Sequence, residues 1–259
     1  MARSAVQSVL FFVRWQLYPT VLAAPAHVAF VLRGAGSRCG VRARAGLAWQ
    51  SIIIHLSLEC GHNPREALHI LEEIVELPDD APGAVVECGA FLGGSTAKLS
   101  LAASLVGRKL IVCDSFEGLP EVSDKDHTER KPDFITGAYQ GRLDLVSANV
   151  ARLGKLDCVE FVRGWYGQSL GQLSGKPIAC AFWDVDLHDS FHDCIRALWP
   201  ELNPGAKVFI HDVDREPVVD AFSDPTWWHD EMHDEPPGVI GAHSGLSPLS
   251  PLIGYATKH

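Results

Sequence analysis

The sequence predicts an α/β protein: a mainly parallel sheet covered by helices on both faces, ending in an antiparallel hairpin and preceded by a helical arm. Three observations support this. Short apolar runs recur from residue 84 onward, bounded by turn residues and rich in Val, Ile and Phe. Between them lie segments with apolar residues at helical spacing, an alternation that implies βαβ units. The last two runs are joined by a loop alone, which suits antiparallel pairing better than a crossover.

The elements follow in order. SVLFFVRWQLYPTVLAAPAHVAFVLRG (8–34) is apolar, but Arg14, Pro19, Pro25 and His27 interrupt it. Its clean runs fall short of the roughly 18–20 residues of a spanning helix. LAAPA resembles a cleavage site, but no continuous apolar core precedes it. It is read as a helical arm packed on the domain or on a second subunit, with a peripheral membrane contact as the alternative. From Leu47 to Leu77 the apolar spacing predicts two helices split at GHNP (61–64), with Asn63 as N-cap and Pro64 at the first helical position. PDDAPG then breaks the pattern, dividing residues 1–80, the helical arm and lid, from a main domain at 81–259.

AVVEC (84–88) reads as a buried strand, and GGSTAKLSLAASLVG (93–107) as a helix that Gly107 ends. KLIVCD (109–114), DCVEFVRG (157–164), PIACAFWD (177–184) and AKVFIHD (206–212) read as further strands. HDSFHDCIRALWPEL (188–202) places Phe191, Cys194, Ile195 and Leu198 on one helical face and leaves His192 and Asp193 on the exposed one. GVIGAH (238–243) and PLIGYATK (251–258) form the terminal hairpin. The polar, aperiodic stretch 117–141 follows a strand and therefore reads as a lid at the sheet's carboxyl edge, where open α/β sheets bind ligands.

The 259 residues carry a formal net charge of −10 and no basic stripe, which argues against nucleic acid or an anionic membrane as main partner. Seven cysteines, an odd number without a CxxC pair, fit buried thiols and a reducing, cytoplasmic setting.

Two stretches point to chemistry. ECGAFLGGS (87–95) is a strand-end acid, a glycine turn and a helix start, and Asp114 ends the next strand twenty residues after Gly94. That distance also permits a nicotinamide cofactor. The glycines lack the G-x-G-x-x-G order, however, and Glu87 would repel a pyrophosphate while suiting the ammonium and sulfonium of S-adenosylmethionine. FWDVDLHDSF (182–191) ends a buried strand in Asp184, Asp186, His188 and Asp189, and such ionised groups need a partner or a cation. Asp189 and His188 also read as plain helix-start residues. WWHDEMHDE (227–235) reads as a solvated loop with packed tryptophans.

GAVVECGAFLGGST, VCDSFEGLPE, FVRGWYGQSL and WDVDLHDSFHDCIRALWPELNPGAKVFIHDV resemble, in that order, the macrocin O-methyltransferase family over about residues 60–220. DSFEGLP and the D-x-D-L…S block are the most specific parts. The resemblance implies a Rossmann-like seven-stranded sheet and S-adenosylmethionine-dependent methylation of sugar hydroxyls on macrolides and related metabolites, usually with magnesium. It places the methionine part of the cofactor near Glu87, Gly89 and Gly93, with Ser95, Ser115 and Asp184 completing the contacts. Asp114 takes the ribose hydroxyls, and Phe116 or Trp165 borders the adenine, although Trp165 also reads as a core aromatic.

For the metal, the family has an acid after the fourth strand and two adjacent acids after the fifth; here the positions are Asp184, His211 and Asp212. Three arrangements follow: Asp184 and Asp212 hold Mg2+ (or Mn2+), His211 ligates another ion, or no metal remains and His211 is a general base. Asp184, His211 and His188 are the catalytic candidates, with Asp186 in support. The expected partners are a small-molecule or saccharide acceptor and a second copy of the chain through the arm, without stable membrane insertion. The rival functions are a nicotinamide-dependent oxidoreductase and a non-catalytic binding protein on a methyltransferase scaffold.

Overall fold

The computed structural model describes residues 7, 10–126 and 134–259. Helical turns over 10–22 lead into α1 (Ala24–Leu32), followed by α2 (Val41–Ser57) and α3 (Pro64–Glu76). The α/β part comprises β1 (Ala84–Cys88), α4 (Gly94–Leu105), β2 (Leu110–Asp114), α5 (Leu143–Leu153), β3 (Val159–Arg163), β4 (Ile178–Trp183), α6 (His188–Leu198), β5 (Lys207–Ile210) and β6 (Gly254–Thr257). The strands lie in the order β3-β2-β1-β4-β5-β6. All neighbours run parallel except β5 and β6. The order reverses between β1 and β4, and at such a switch point the loops leaving the two strands diverge and open a crevice.

Local chemistry explains the boundaries. Asn63 Oδ1 accepts from the Arg65 and Glu66 amides while Glu66 Oε2 accepts from the Asn63 amide, a complete capping box with Pro64 at the first position. Gly107, at φ 70°, turns the chain out of α4. One apolar core joins Phe30, Leu47, Leu71 and Ile74 of the first helices to Val85, Val112 and Phe182 of the sheet, so the segment before residue 80 shares its core with the sheet. Arg44, fully buried, is paired with Glu72 at 2.6 Å and with Glu76 and covers the Phe30 ring. Among the described residues no helix is long and apolar enough to cross a membrane.

The sheet has six strands rather than the expected seven. Residues 238–243 contribute one antiparallel bridge, Ile240 to Tyr255. Pro236 and Pro237 offer no N–H, and the chain turns at Gly238 (φ 65°) and Gly241 (φ 93°), leaving one residue in register. The antiparallel pairing at the C-terminus is that of β5 with β6. A second correction concerns α6. His192 is buried rather than exposed, stacked on Trp227 with ring centroids 4.0 Å apart, because residues 225–232 fold as a helical segment over that face. Asp193 is half-buried.

Candidate active site

The carboxyl edge of the sheet is conformationally distinctive. Phe91, Phe116, Asp186 and Asp212 have φ of 45°, 59°, 62° and 59°, one in each loop after β1, β2, β4 and β5. Non-glycine residues in this region store strain of order 1 kcal/mol or more, and such strain gathers where loops are held in a functional shape. Gly89 (φ 94°) has to be glycine: a Cβ there would stand 2.0 Å from the Asp184 carbonyl oxygen. The β1 loop thus closes on the end of β4, where the Asp184 amide also donates to the Cys88 carbonyl at 2.9 Å.

A cavity of about 360 Å³ opens along this edge, a size typical of small-molecule sites. One end is formed by Gly89, Ala90, Ser95, Asp114, Ser115 and Trp165; the other by His62, Asp184, Asp186, His211 and Asp212. The described parts of the expected lid supply Gly118, Leu119, Pro120, Phe134 and Tyr139; its residues 127–133 lie outside the described residues. Arg215 fastens this cover, its guanidinium 4.2 Å from the Phe134 ring centroid and donating to the Asp126 carbonyl at 3.2 Å.

At the first end, Asp114 accepts from the Ala90 and Phe116 amides, each at 2.7 Å. Burial raises its pKa and these backbone donors offset part of the effect. Ser115 closes the next turn, accepting from the Glu117 amide and donating to the Gly118 carbonyl. Glu87 is fully buried behind the cavity wall with no well-aligned hydrogen bond to either oxygen, and burial, opposed in part by the nearby Ser95 and Thr96 hydroxyls, pushes its pKa up to about 8. Gly93 and Phe116 also lie off the wall; Phe116 packs edge-on against Phe161 at 5.9 Å.

At the second end, His211 Nδ1 is 3.2 Å from Asp184 Oδ1 and 3.3 Å from Asp212 Oδ1, and Nε2 is 3.8 Å from Glu66 Oε2. Burial alone would lower the His211 pKa; the Asp184 charge and the contacts with Asp184, Asp212 and Glu66 outweigh it and hold the pKa well above the usual value. Asp186 is raised well above the carboxylate range by burial and by Asp184 and Asp212. Behind His62, Lys98 Nζ lies 3.0 Å from His62 Nε2 and 3.7 Å from Cys60 Sγ, all within the fold. Burial lowers the pKa of both Lys98 and His62.

His188 stands apart. It does not line the cavity; its amide donates to Asp126 Oδ1 at 2.7 Å and its ring meets Asp189 at 3.0 Å. Glu66, His62, Lys98, Arg215 and Phe134 were not anticipated. Only Glu66 had a sequence signal, as the reciprocal partner of the Asn63 cap.

Residues 62–232, more than half of the chain, match the family described as Macrocin-O-methyltransferase (TylF). The chain belongs to the macrocin O-methyltransferase family. Among curated relatives, a tetracenomycin-C 4'-O-methyltransferase of Streptomyces olivaceus, named for an acceptor that carries a dimethoxyrhamnosyl group, is 35% identical over 57% of this chain and 59% of its own. Mycinamicin III 3''-O-methyltransferase of Micromonospora griseorubida is 28% identical over 65% of this chain and 74% of its own. The chain thus spans less than two thirds of the first of these relatives. Among solved structures, the O-methyltransferase NovP matches with TM-score 0.61 at 19% identity over 92% of this chain and 99% of its own. The calicheamicin methyltransferase CalS11 matches at 0.57 and 15% over 99% and 94%. At those identities the likeness is one of fold.

The family implies two groups, and the residues receive them differently. S-adenosylmethionine fits: the glycine turn, Asp114 and Trp165 share one cavity end, and the orphaned Glu87 carboxyl lies beneath it. An all-oxygen magnesium site does not fit. His211 Nδ1 stands at hydrogen-bond distance from both carboxylates, where an ion would have to be. Among the described residues the His/Cys/Asp/Glu trio whose donor atoms all lie within 4.8 Å of one another is His188, Asp189 and His192, not Asp184, His211 and Asp212.

Proposed function

We propose that this protein is an S-adenosylmethionine-dependent O-methyltransferase acting on a sugar hydroxyl of a glycosylated small molecule. The single observation behind the reading is the cavity itself, which joins a glycine turn and strand-end acid at one end to buried carboxylates at the other, across the switch point of the sheet. The names of the curated relatives supply the acceptor class.

The cofactor supplies an activated methyl group on a sulfonium. The chain's part is alignment and proton removal. Asp114, fixed by two backbone donors, would hold the ribose hydroxyls, Trp165 would border the adenine, and Ser95 and the Gly89 turn would flank the methionine end. Asp184 is the carboxylate best placed for an acceptor hydroxyl, with its side chain 22% exposed where Asp212 and Glu66 are almost closed off. Asp184 would take the proton that the acceptor hydroxyl gives up on gaining the methyl group, and the cofactor would supply that methyl and depart as a neutral thioether. Holding both reactants in line accounts for most of the rate. The Leu119 and Phe134 cover would exclude water from the methyl donor.

Calorimetric titration with S-adenosylhomocysteine is the direct test. Micromolar binding is the expected result, followed by methyl transfer to deoxysugar-bearing acceptors; absence of binding would remove the reading. We also propose that a second copy packs on the N-terminal helices, where Leu10, Trp15, Tyr18 and Val21 are each more than half exposed. Light scattering reporting only a monomer would remove that part.

A further inference from the structure

We infer that the His211 side chain is the resident cation of this site, standing between Asp184 and Asp212 in place of a divalent ion, so that acceptor binding and methyl transfer proceed without metal. The inference rests on the methyltransferase reading above and concerns its acceptor end.

The argument begins with charge. Glu66, Asp184, Asp186 and Asp212 converge where β4 and β5 end against the start of α3, with Glu66 and Asp212 almost closed off from solvent. Desolvated carboxylates require compensating positive charge. Among the described residues, His211 and Arg215 contact this group, and Lys98 is close enough to Glu66 to feel its charge. Arg215 donates to the Asp186 carbonyl and lies 3.9 Å from Asp212 Oδ2, on the lid side. Lys98 Nζ makes its contacts with His62 and Cys60 rather than with Asp184 or Asp212. Among the described residues, His211 is the cation that touches both Asp184 and Asp212.

The ring geometry suits that role. Carboxylate oxygens face both ring nitrogens: Asp184 and Asp212 at Nδ1, Glu66 at Nε2. A neutral imidazole would set its one lone pair against a carboxylate, whereas the imidazolium donates on both sides. The ring is also built in rather than flexible. It is 6% exposed, and its backbone is held at the end of β5 by the amide's 3.0 Å bond to the Trp183 carbonyl. Glu66 is itself fixed, because Oε2 caps α3 at Asn63 and Oε1 accepts from the Leu252 amide at 3.2 Å. With Nδ1 in contact with both acids, their oxygens are held too far apart to share one ion with it.

His211 then acts through Asp184. It holds that carboxylate oriented beside the cavity, and the carboxylate takes the hydroxyl proton. His211 is a positioning residue, and replacing it by an acid should recreate a metal site.

The test is manganese uptake by chelator-treated protein, followed by electron paramagnetic resonance, with S-adenosylhomocysteine titrated separately. Wild type should show no uptake that depends on Asp184 at millimolar manganese. His211→Asp should bind at least about tenfold tighter, and Asp184→Asn in that background should abolish the gain. Magnesium should restore turnover to His211→Asp but not to His211→Asn. Wild-type uptake lost in Asp184→Asn or Asp212→Asn would overturn the inference; residual uptake in those variants belongs to His188, Asp189 and His192. If His211→Asp does not fold, the comparison of wild type with Asp184→Asn decides alone. Manganese uptake with S-adenosylhomocysteine binding intact breaks only this inference, whereas absent S-adenosylhomocysteine binding breaks the methyltransferase reading.

Discussion

The two ends of the cavity are built by different means. At the β1–β2 end the acid Asp114 is satisfied by main-chain amides of adjacent loops, Ala90 and Phe116. At the β4–β5 end Asp184 and Asp212 are satisfied by a side chain, His211, which is braced by Glu66 from a helix more than a hundred residues away. Backbone donors come with the fold and tolerate variation around them. Side-chain partners must each be supplied, so this end is where a family can change its chemistry while keeping its sheet.

The largest effect should follow from breaking the side-chain end. Asp184→Asn keeps the shape but removes the proton acceptor, and turnover should fall about 10³-fold. S-adenosylhomocysteine affinity, which belongs to the other end, should stay within about threefold. Unchanged turnover, measured as S-adenosylhomocysteine release with an acceptor the wild type methylates, would remove Asp184 from the chemistry.

Next in size is a pH effect beneath the cofactor end. Glu87 is raised from 4.5 to about 8 in the fold, so between those values the folded chain binds a proton that the unfolded chain has lost. Stability attributable to this group therefore falls as pH rises through that window, by about 5 kcal/mol in all. Glu87→Gln carries no such proton. Its melting temperature relative to wild type should rise progressively from pH 5 to pH 8, by several degrees for a chain of this size. Parallel pH profiles for the two proteins would show that the carboxyl is already compensated within the apo fold.

The same contrast explains what was legible in the sequence. The glycine turn, Asp114, Asp184 and Asp212 sit at ends of strands that apolar patterning locates, and parallel strands deliver their carboxyl ends to one edge whatever the loops do. His62, Lys98, Arg215 and Phe134 come from helices and loops whose approach depends on packing that no local spacing encodes. His192 illustrates the limit: periodicity reads it as exposed, but the segment that covers it, at Trp227, lies 35 residues on and has no periodic signal. The seventh strand failed for a local reason, since Pro236, Pro237 and two left-handed glycines leave Ile240 as its one paired residue.

The smallest of these effects tests the backbone-built end. Asp114→Ala removes the ribose partner and also leaves the Ala90 and Phe116 amides without their acceptor. A hydrogen bond to a charged group contributes about 1.5–3 kcal/mol, so S-adenosylhomocysteine affinity should fall about tenfold to a hundredfold. Asp114→Asn separates the two contributions. Its remaining carbonyl oxygen can still serve one amide, and it lacks the charge that favours two ribose donors. If Asn recovers most of the loss, Asp114 acts chiefly by shaping the glycine turn; if Asn is as weak as Ala, the carboxylate contacts the ribose directly. An affinity unaltered in both would detach the cofactor from this end of the cavity and leave the carboxylates around His211 as its one chemical landmark.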